Sequence, residues 1–208
     1  MKQTVFIIDD DASIRKSLGR LLRASDLVTE DFPSAERYLE RAPYDGVGCI
    51  LLDVNMPGIS GIELQTQLMD SGRDLPIIFL TGYGNISMSV NAMKRGALDF
   101  LTKPVSEDQL LPAVRQALQH HHSLRDERDI RASIEARLAT LTHREKEVMR
   151  ELITGAPNKI VADRLGIAIK TVKVHRANLM LKMGVRSIAE LLHLCHLVGT
   201  KPDAPPLR

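Results

Sequence analysis

Asp9 and Asp10 close the apolar run TVFIIDDD, Asp53 closes CILLDVNMPG, and Lys103 lies in DFLTKP. These four side chains suit one kind of chemistry, in which a divalent cation is held beside a carboxylate that takes up a phosphoryl group. Three neighbouring carboxylates repel one another, so a hard cation is their natural companion. Mg2+ fits well, because it takes octahedral oxygen ligation and keeps several waters. Two or three carboxylates and a backbone carbonyl of the DVNMPG turn would complete its shell. The last third of the chain carries a second device, the basic helical pattern NKIVADRLGIAIKTVKVHRANLMLKMGV, whose proportions suit a DNA groove.

The elements around the acidic residues must bring them together. From Thr4 to Gln119 short apolar runs (5–8, a weak one at 28–32, 49–52, 76–80 and 97–101) alternate with amphipathic stretches. Near-continuous apolar runs suit strands buried on both faces of a parallel sheet, with the stretches between them as crossover helices. Ile14, Leu18, Leu21 and Leu22 share one helical face, as do Ile62, Leu64, Leu68 and Met69, and Ser106 with Gln109 has capping-box spacing. Five such units predict a doubly wound α/β fold with a five-stranded parallel sheet, whose ligands collect at the carboxyl ends of the strands. Asp9, Asp10, Asp53, Thr81 and Lys103 all fall at those ends.

Composition divides the chain. Residues 1–119 hold 12 basic and 16 acidic side chains, whereas residues 120–208 hold 16 and 10, so an acidic half precedes a basic one. A basic half suggests a polyanionic partner. Cys49 and Cys195 lie in different halves within apolar elements, which argues against a disulfide and for a reducing compartment. No apolar run approaches the ~20 residues needed to cross a bilayer, and the N-terminus lacks a signal-peptide layout, so a cytoplasmic location without membrane partners is expected.

Residues 119–140 are dense in charge and nearly free of Gly and Pro. Ile130, Ile134 and Leu138 fall on one face and Glu127 to Arg131 has favourable i,i+4 spacing, so a helical linker is expected. His120, His121 and His122 lack partners at metal-ligand spacing and read as solvated surface. Beyond them, Thr142 with Glu145 makes a capping box, Pro157-Asn158 opens a second helix, and a third runs from about Ile169 to Met183. Ser187 with Glu190 caps a fourth. The expected core is Val148, Leu152, Ile160, Leu165, Val172, Leu179 and Leu191. Residues 158–182 contain six basic side chains against the single acid Asp163. With Val172, Leu179 and Met183 inward, Lys173, Val174, Arg176 and Ala177 can face base edges, and His175, Asn178 and Lys182 the backbone.

IIDDD, LLDVNMPGISGIEL and PIIFLTGYGNISMSVNAMKRGALDFLTKP resemble the response-regulator receiver domain, particularly its FixJ branch, over residues 4 to about 119. The resemblance implies Asp53 as phosphoacceptor and Mg2+ held directly by Asp10, Asp53 and the Asn55 carbonyl, with Asp9 acting largely through water. It further implies Lys103 and Thr81 as partners of the phosphoryl oxygens, and Phe100 as the aromatic switch that follows Thr81. One departure is Asp26, where the family usually has glycine. LTHREKEV, NKIVADRLGI and KTVKVHRANLMLKMGV are similar to the LuxR-type helix-turn-helix of FixJ and NarL relatives, over residues 138 to about 198. By that likeness Thr171, Lys173, Val174, His175, Arg176, Asn178 and Lys182 match DNA-contacting positions, while Ala168 departs from the usual serine before the recognition helix.

The expected organisation is a receiver over 1–119, a helical linker over 120–137, an all-α four-helix DNA-binding domain over 138–199 and a disordered tail over 200–208. The expected function is that of a two-component response regulator. A partner histidine kinase would phosphorylate Asp53, and a dimer formed through about 86–119 would bind double-stranded promoter DNA; RNA polymerase is a further candidate partner. A constitutive DNA binder whose receiver only dimerises is the alternative, but such a module needs no Asp9, Asp10 and Lys103. A Mg2+-dependent phosphatase would need an aspartate two residues after Asp53, where Asn55 stands, so no enzyme is expected.

Overall fold

The computed structural model describes residues 3–82 and 92–200. Two compact units divide the chain, Met1–Arg125 and Asp126–Arg208.

The first unit is built on five parallel strands, β1 (Thr4–Ile8), β2 (Val28–Phe32), β3 (Gly48–Asp53), β4 (Ile77–Thr81) and β5 (Asp99–Thr102), in the order β2-β1-β3-β4-β5. Helices α1 (Ala12–Ala24), α2 (Ala35–Leu39) and α3 (Gly61–Asp70) connect them, and α4 spans Glu107–Ala139. The doubly wound expectation holds. The fourth crossover helix expected near Ile86, and with it part of the expected dimer face, falls on residues 83–91, outside the described residues.

Strand alternation sorts the core into two faces. Val5, Ile7, Cys49, Leu51, Ile78 and Leu80 pack against Leu18 and Leu22 of α1 and Leu110, Val114 and Leu118 of α4. Phe6, Ile8, Ile50, Leu52 and Phe79 pack on the other face against Tyr38, Leu64 and Leu68. Each such side chain contributes roughly 1.5–3 kcal/mol on burial, which is why β1, β3 and β4 read as unbroken apolar runs. Met69 departs from the expected α3 face and is exposed, because it sits one residue, or about 100° of helix, beyond Leu68. The Ser106 hydroxyl meets the Gln109 side chain at 3.3 Å instead of capping its N–H. Asp26 adopts φ 61°, the left-handed conformation that explains why glycine suits this turn.

His121 overturns the solvated reading of the histidine triplet. It is 1% exposed, and its Nδ1 accepts the Gly48 N–H at 3.0 Å. That bond ties α4 to the first residue of β3, where only glycine fits, since a Cβ on Gly48 would lie 2.8 Å from the Thr4 carbonyl oxygen. On a helix three successive side chains point in three directions, so one of the three must face the sheet while His120 and His122 face out.

The second unit packs α5 (His143–Leu152), α6 (Asn158–Leu165), α7 (Ile169–Met183) and α8 (Ile188–Leu197) around a core that includes Val148, Leu152, Val161, Val172, Leu179, Met183, Leu191 and Cys195, with Ile134 and Leu138 from the last turns of α4. The expected capping box of Thr142 and Glu145 is present. One core expectation fails by register, since Ile160 is exposed; Ile130, on the expected face with Ile134 and Leu138, is exposed as well. On α6 Val161 and Ala162 are buried and Leu165 packs partly buried against them, which turns Ile160 away; on α4 the contact is made by Ile134 and Leu138, one and two turns beyond Ile130. Both cysteines are buried and free, in separate units.

Truncating His121 to alanine leaves the Gly48 N–H buried without an acceptor, so the His121→Ala chain should lose about 1–3 kcal/mol in urea unfolding. A loss below a few tenths would show that water replaces the imidazole.

Candidate phosphoacceptor site and DNA-binding surface

The strand register assembles the acidic site. Ile8 pairs with Leu52, Asp53 with Leu80 and Thr81 with Thr102, so Asp9, Asp53, Thr81 and Lys103 arrive at one edge of the sheet. Carboxylate oxygens of Asp9, Asp10 and Asp53 lie within 4.8 Å of one another. The Lys103 ammonium lies 2.7 Å from Asp9 Oδ2 and 3.1 Å from Asp53 Oδ2. Asp9 is fully buried and its other oxygen accepts the Asp11 N–H at 2.9 Å, whereas Asp10 is exposed. Lys103 precedes Pro104 through a cis peptide bond, and its own N–H reaches the Thr81 carbonyl at 2.7 Å.

Burial pushes the Asp53 carboxyl above its ordinary value. Lys103 pulls against this, Asp9 adds to it, and the Asn55 N–H pulls down. Burial by itself would lower the Lys103 ammonium, but its bonds to Asp9 and Asp53 carry it above the usual lysine value. One ammonium against three carboxylates leaves two negative charges unbalanced, and these donors are the hard oxygens a divalent cation takes. The residues present therefore fit Mg2+.

The β3–α3 turn is held close. Gly61 donates its N–H to the Val54 carbonyl at 3.0 Å, and a Cβ on Gly61 would collide with the Asp53 carbonyl oxygen at 2.2 Å. Glu36 on α2 accepts the Ile59 N–H at 3.0 Å from the far side. Thr81 is buried at the end of β4. Phe100 is half-buried on β5, with its ring centroid 5.8 Å from that of Phe79.

In the second unit α6 and α7 form a helix-turn-helix, each ended by a left-handed glycine, Gly166 and Gly184. Ala168 caps α7 without a side-chain hydrogen bond, as its apolar side chain dictates. Thr171, Lys173, Val174 and Asn178 are exposed, and His175 is half-buried. Arg176 is half-buried and donates to the Asn158 side-chain oxygen at 3.2 Å. The Lys182 ammonium turns inward to the buried Glu145 at 2.7 Å and the Thr140 carbonyl at 3.2 Å. Lys182 and the Thr142 N–H, in that order, hold the Glu145 carboxyl below its ordinary value. This tie is hidden from sequence reasoning, because Glu145 is already accounted for by its capping box.

A family model described as the response regulator receiver domain matches residues 5–115, and one described as bacterial regulatory proteins of the luxR family matches residues 139–195. The chain belongs to the response regulators with a receiver and a LuxR-type DNA-binding domain, a family of transcription regulators. Among its relatives, the transcriptional regulatory protein FixJ of Azorhizobium caulinodans is 41% identical over 204 residues, covering 97% of both chains. Nodulation protein W of Bradyrhizobium diazoefficiens is 41% identical over 198 residues, covering 95% of this chain and 87% of that one. The solved structure of the response regulator StyR is 47% identical, with a TM-score of 0.86, and the match covers 94% of this chain and 99% of that one. Among the described residues no helix is long and apolar enough to cross a membrane.

A ligand that binds only the folded state raises its stability, by about 2.7 kcal/mol at a hundredfold excess over Kd. Mg2+ should therefore raise the melting temperature of the chain, and Asp10→Asn should remove most of that rise. A second outcome concerns Glu145. Its depressed value means that the stabilisation it brings is complete above the ordinary glutamate range near 4.5 and is lost as pH falls through the folded value. Glu145→Gln should be less stable than the parent at pH 7, and the gap should close on acidification.

Proposed function

We propose that Asp53 accepts a phosphoryl group from a phosphohistidine on a partner histidine kinase, and that this modification controls promoter binding by the second unit as a dimer. The observation that carries the reading is the placement of the Lys103 ammonium 3.1 Å from Asp53 among three converging carboxylates. Asp53 is the nucleophile: its carboxylate oxygen forms the new O–P bond as the N–P bond of the donor breaks and the imidazole leaves. Bound Mg2+ would neutralise charge on the phosphoryl oxygens, held by Asp10, Asp53 and the Asn55 carbonyl. Asp9 has both oxygens engaged, by Lys103 and the Asp11 N–H, which suits a role through water.

Once the phosphoryl group is in place, Lys103 pairs with one of its oxygens and the Thr81 hydroxyl donates to another. Drawing Thr81 inward frees space into which Phe100 turns. The second unit would read DNA through Thr171, Lys173, Val174, His175, Arg176 and Asn178. Lys182 is the expected contact with the least to offer, since Glu145 already neutralises it. Two copies are needed because one recognition helix reads too few base pairs for useful specificity.

DNA binding at fixed salt, with and without a small-molecule phosphodonor and Mg2+, should tighten for the parent chain and stay unchanged for Asp53→Asn. Equal binding in every condition would favour the constitutive regulator, in which the receiver only dimerises.

A further inference from the structure

Arg15, on the first turns of α1, lies outside every motif that points to the acidic site. Its guanidinium is nonetheless committed to the β1–α1 turn: Nη1 donates to the Asp9 carbonyl at 2.7 Å and to the Asp10 carbonyl at 3.0 Å. The Nε faces Asp31 Oδ2 on β2 at 3.4 Å, and only 14% of the side chain is exposed. From the other side the Asp11 carboxylate caps the N–H groups of Ser13 and Ile14, and the Asp11 N–H binds Asp9. The peptide unit between Asp10 and Asp11 is thus held at both its carbonyl and its N–H, and the one between Asp9 and Asp10 at its carbonyl.

We propose that Arg15 is a positioning residue for the divalent cation. By fixing the carbonyls of Asp9 and Asp10 it sets the direction in which the exposed Asp10 carboxylate is presented to Asp53. Because Asp10 is exposed, packing does not hold its carboxylate; the backbone beneath it is what Arg15 fixes. The proposal rests on the reading of Asp9, Asp10 and Asp53 as a Mg2+ site.

The sign of the effect separates positioning from simple electrostatics. Arg15 is a cation close to a cation site, so its charge alone opposes Mg2+, and neutralising it would tighten binding. Positioning requires the opposite. Without the guanidinium the two carbonyls must find other donors, and the peptide units rotate to do so.

The test is calorimetric titration of MgCl2 into the full-length parent, Arg15→Gln, Arg15→Lys and Asp31→Asn, beside the Mg2+ half-saturation of labelling by a small phosphodonor. Arg15→Gln should raise the Mg2+ Kd by about tenfold, or roughly 1.4 kcal/mol. Arg15→Lys, which keeps the charge but cannot span both carbonyls and Asp31, should also weaken binding, and Asp31→Asn should weaken it less. Labelling rates should recover at saturating Mg2+. Unchanged or tighter binding by folded Arg15→Gln, or by Arg15→Lys should the glutamine variant not fold, overturns the proposal. A parent chain that binds no Mg2+ would instead overturn the reading of the site on which it rests.

Discussion

Mutual repulsion of carboxylates at the carboxyl edge of the sheet is the constraint around which the first unit is organised. Asp9 and Asp53 are buried, and Asp10 lies close beside them. Such a cluster is unfavourable in isolation. The strand order resolves part of it by bringing β5 alongside β4, so that Lys103 arrives across β3 and β4 to meet both buried acids. What the lysine leaves uncompensated is the capacity for a divalent cation. The fold below is comparatively ordinary: alternating apolar side chains divide between two helical layers, and the strands end where the polar chemistry begins.

The tightness of the surrounding backbone follows from the same constraint. Gly61 lets α3 start directly against the Asp53 carbonyl, Glu36 holds the following turn, and Arg15 holds the turn before α1. None of these three contacts reacting atoms. Gly61 and Arg15 remove freedom from backbone adjoining a carboxylate, where a small displacement changes the spacing of like charges, and Glu36 steadies the turn that joins Asp53 to α3.

The strands were legible because a parallel sheet buried on both faces has a distinctive signature, and because packing alone seldom puts charged residues at successive strand ends. β2, the weakest run, is an edge strand with exposed Val28 and Glu30 paired outward to Arg41, so its sequence had less to say. Errors collected where the question was one of rotation about a helix axis. Met69 and Ile160 each stand one step from the buried stripe, and apolarity alone does not choose between adjacent positions; Ile130 shares the face of Ile134 and Leu138 but lies a turn before that core begins. His121 and Arg15 escaped for a different reason: polar side chains that bind backbone groups distant in sequence leave no periodic trace. Gly48, which His121 needs, and the Asp9 and Asp10 carbonyls, which Arg15 needs, are visible only once the chain is folded.

The Lys182–Glu145 pair carries a consequence for how charge in the second unit is to be weighed. Of the six basic side chains between 158 and 182, Lys182 is held by Glu145, Arg164 by Glu151 at 2.7 Å, and Arg176 leans on Asn158. Asn158 is a neutral amide, so Arg176 keeps its charge, and Lys159, Lys170, Lys173 and Arg176 carry the charge left over. Counterions condensed on a duplex are released only by cations that reach phosphates unencumbered, with log K falling by about 0.9 per phosphate for each decade of salt. The ionic-strength dependence that these six side chains bring to DNA binding is therefore set by about two-thirds of what their formal charge advertises, leaving more of the affinity to contacts that salt does not weaken.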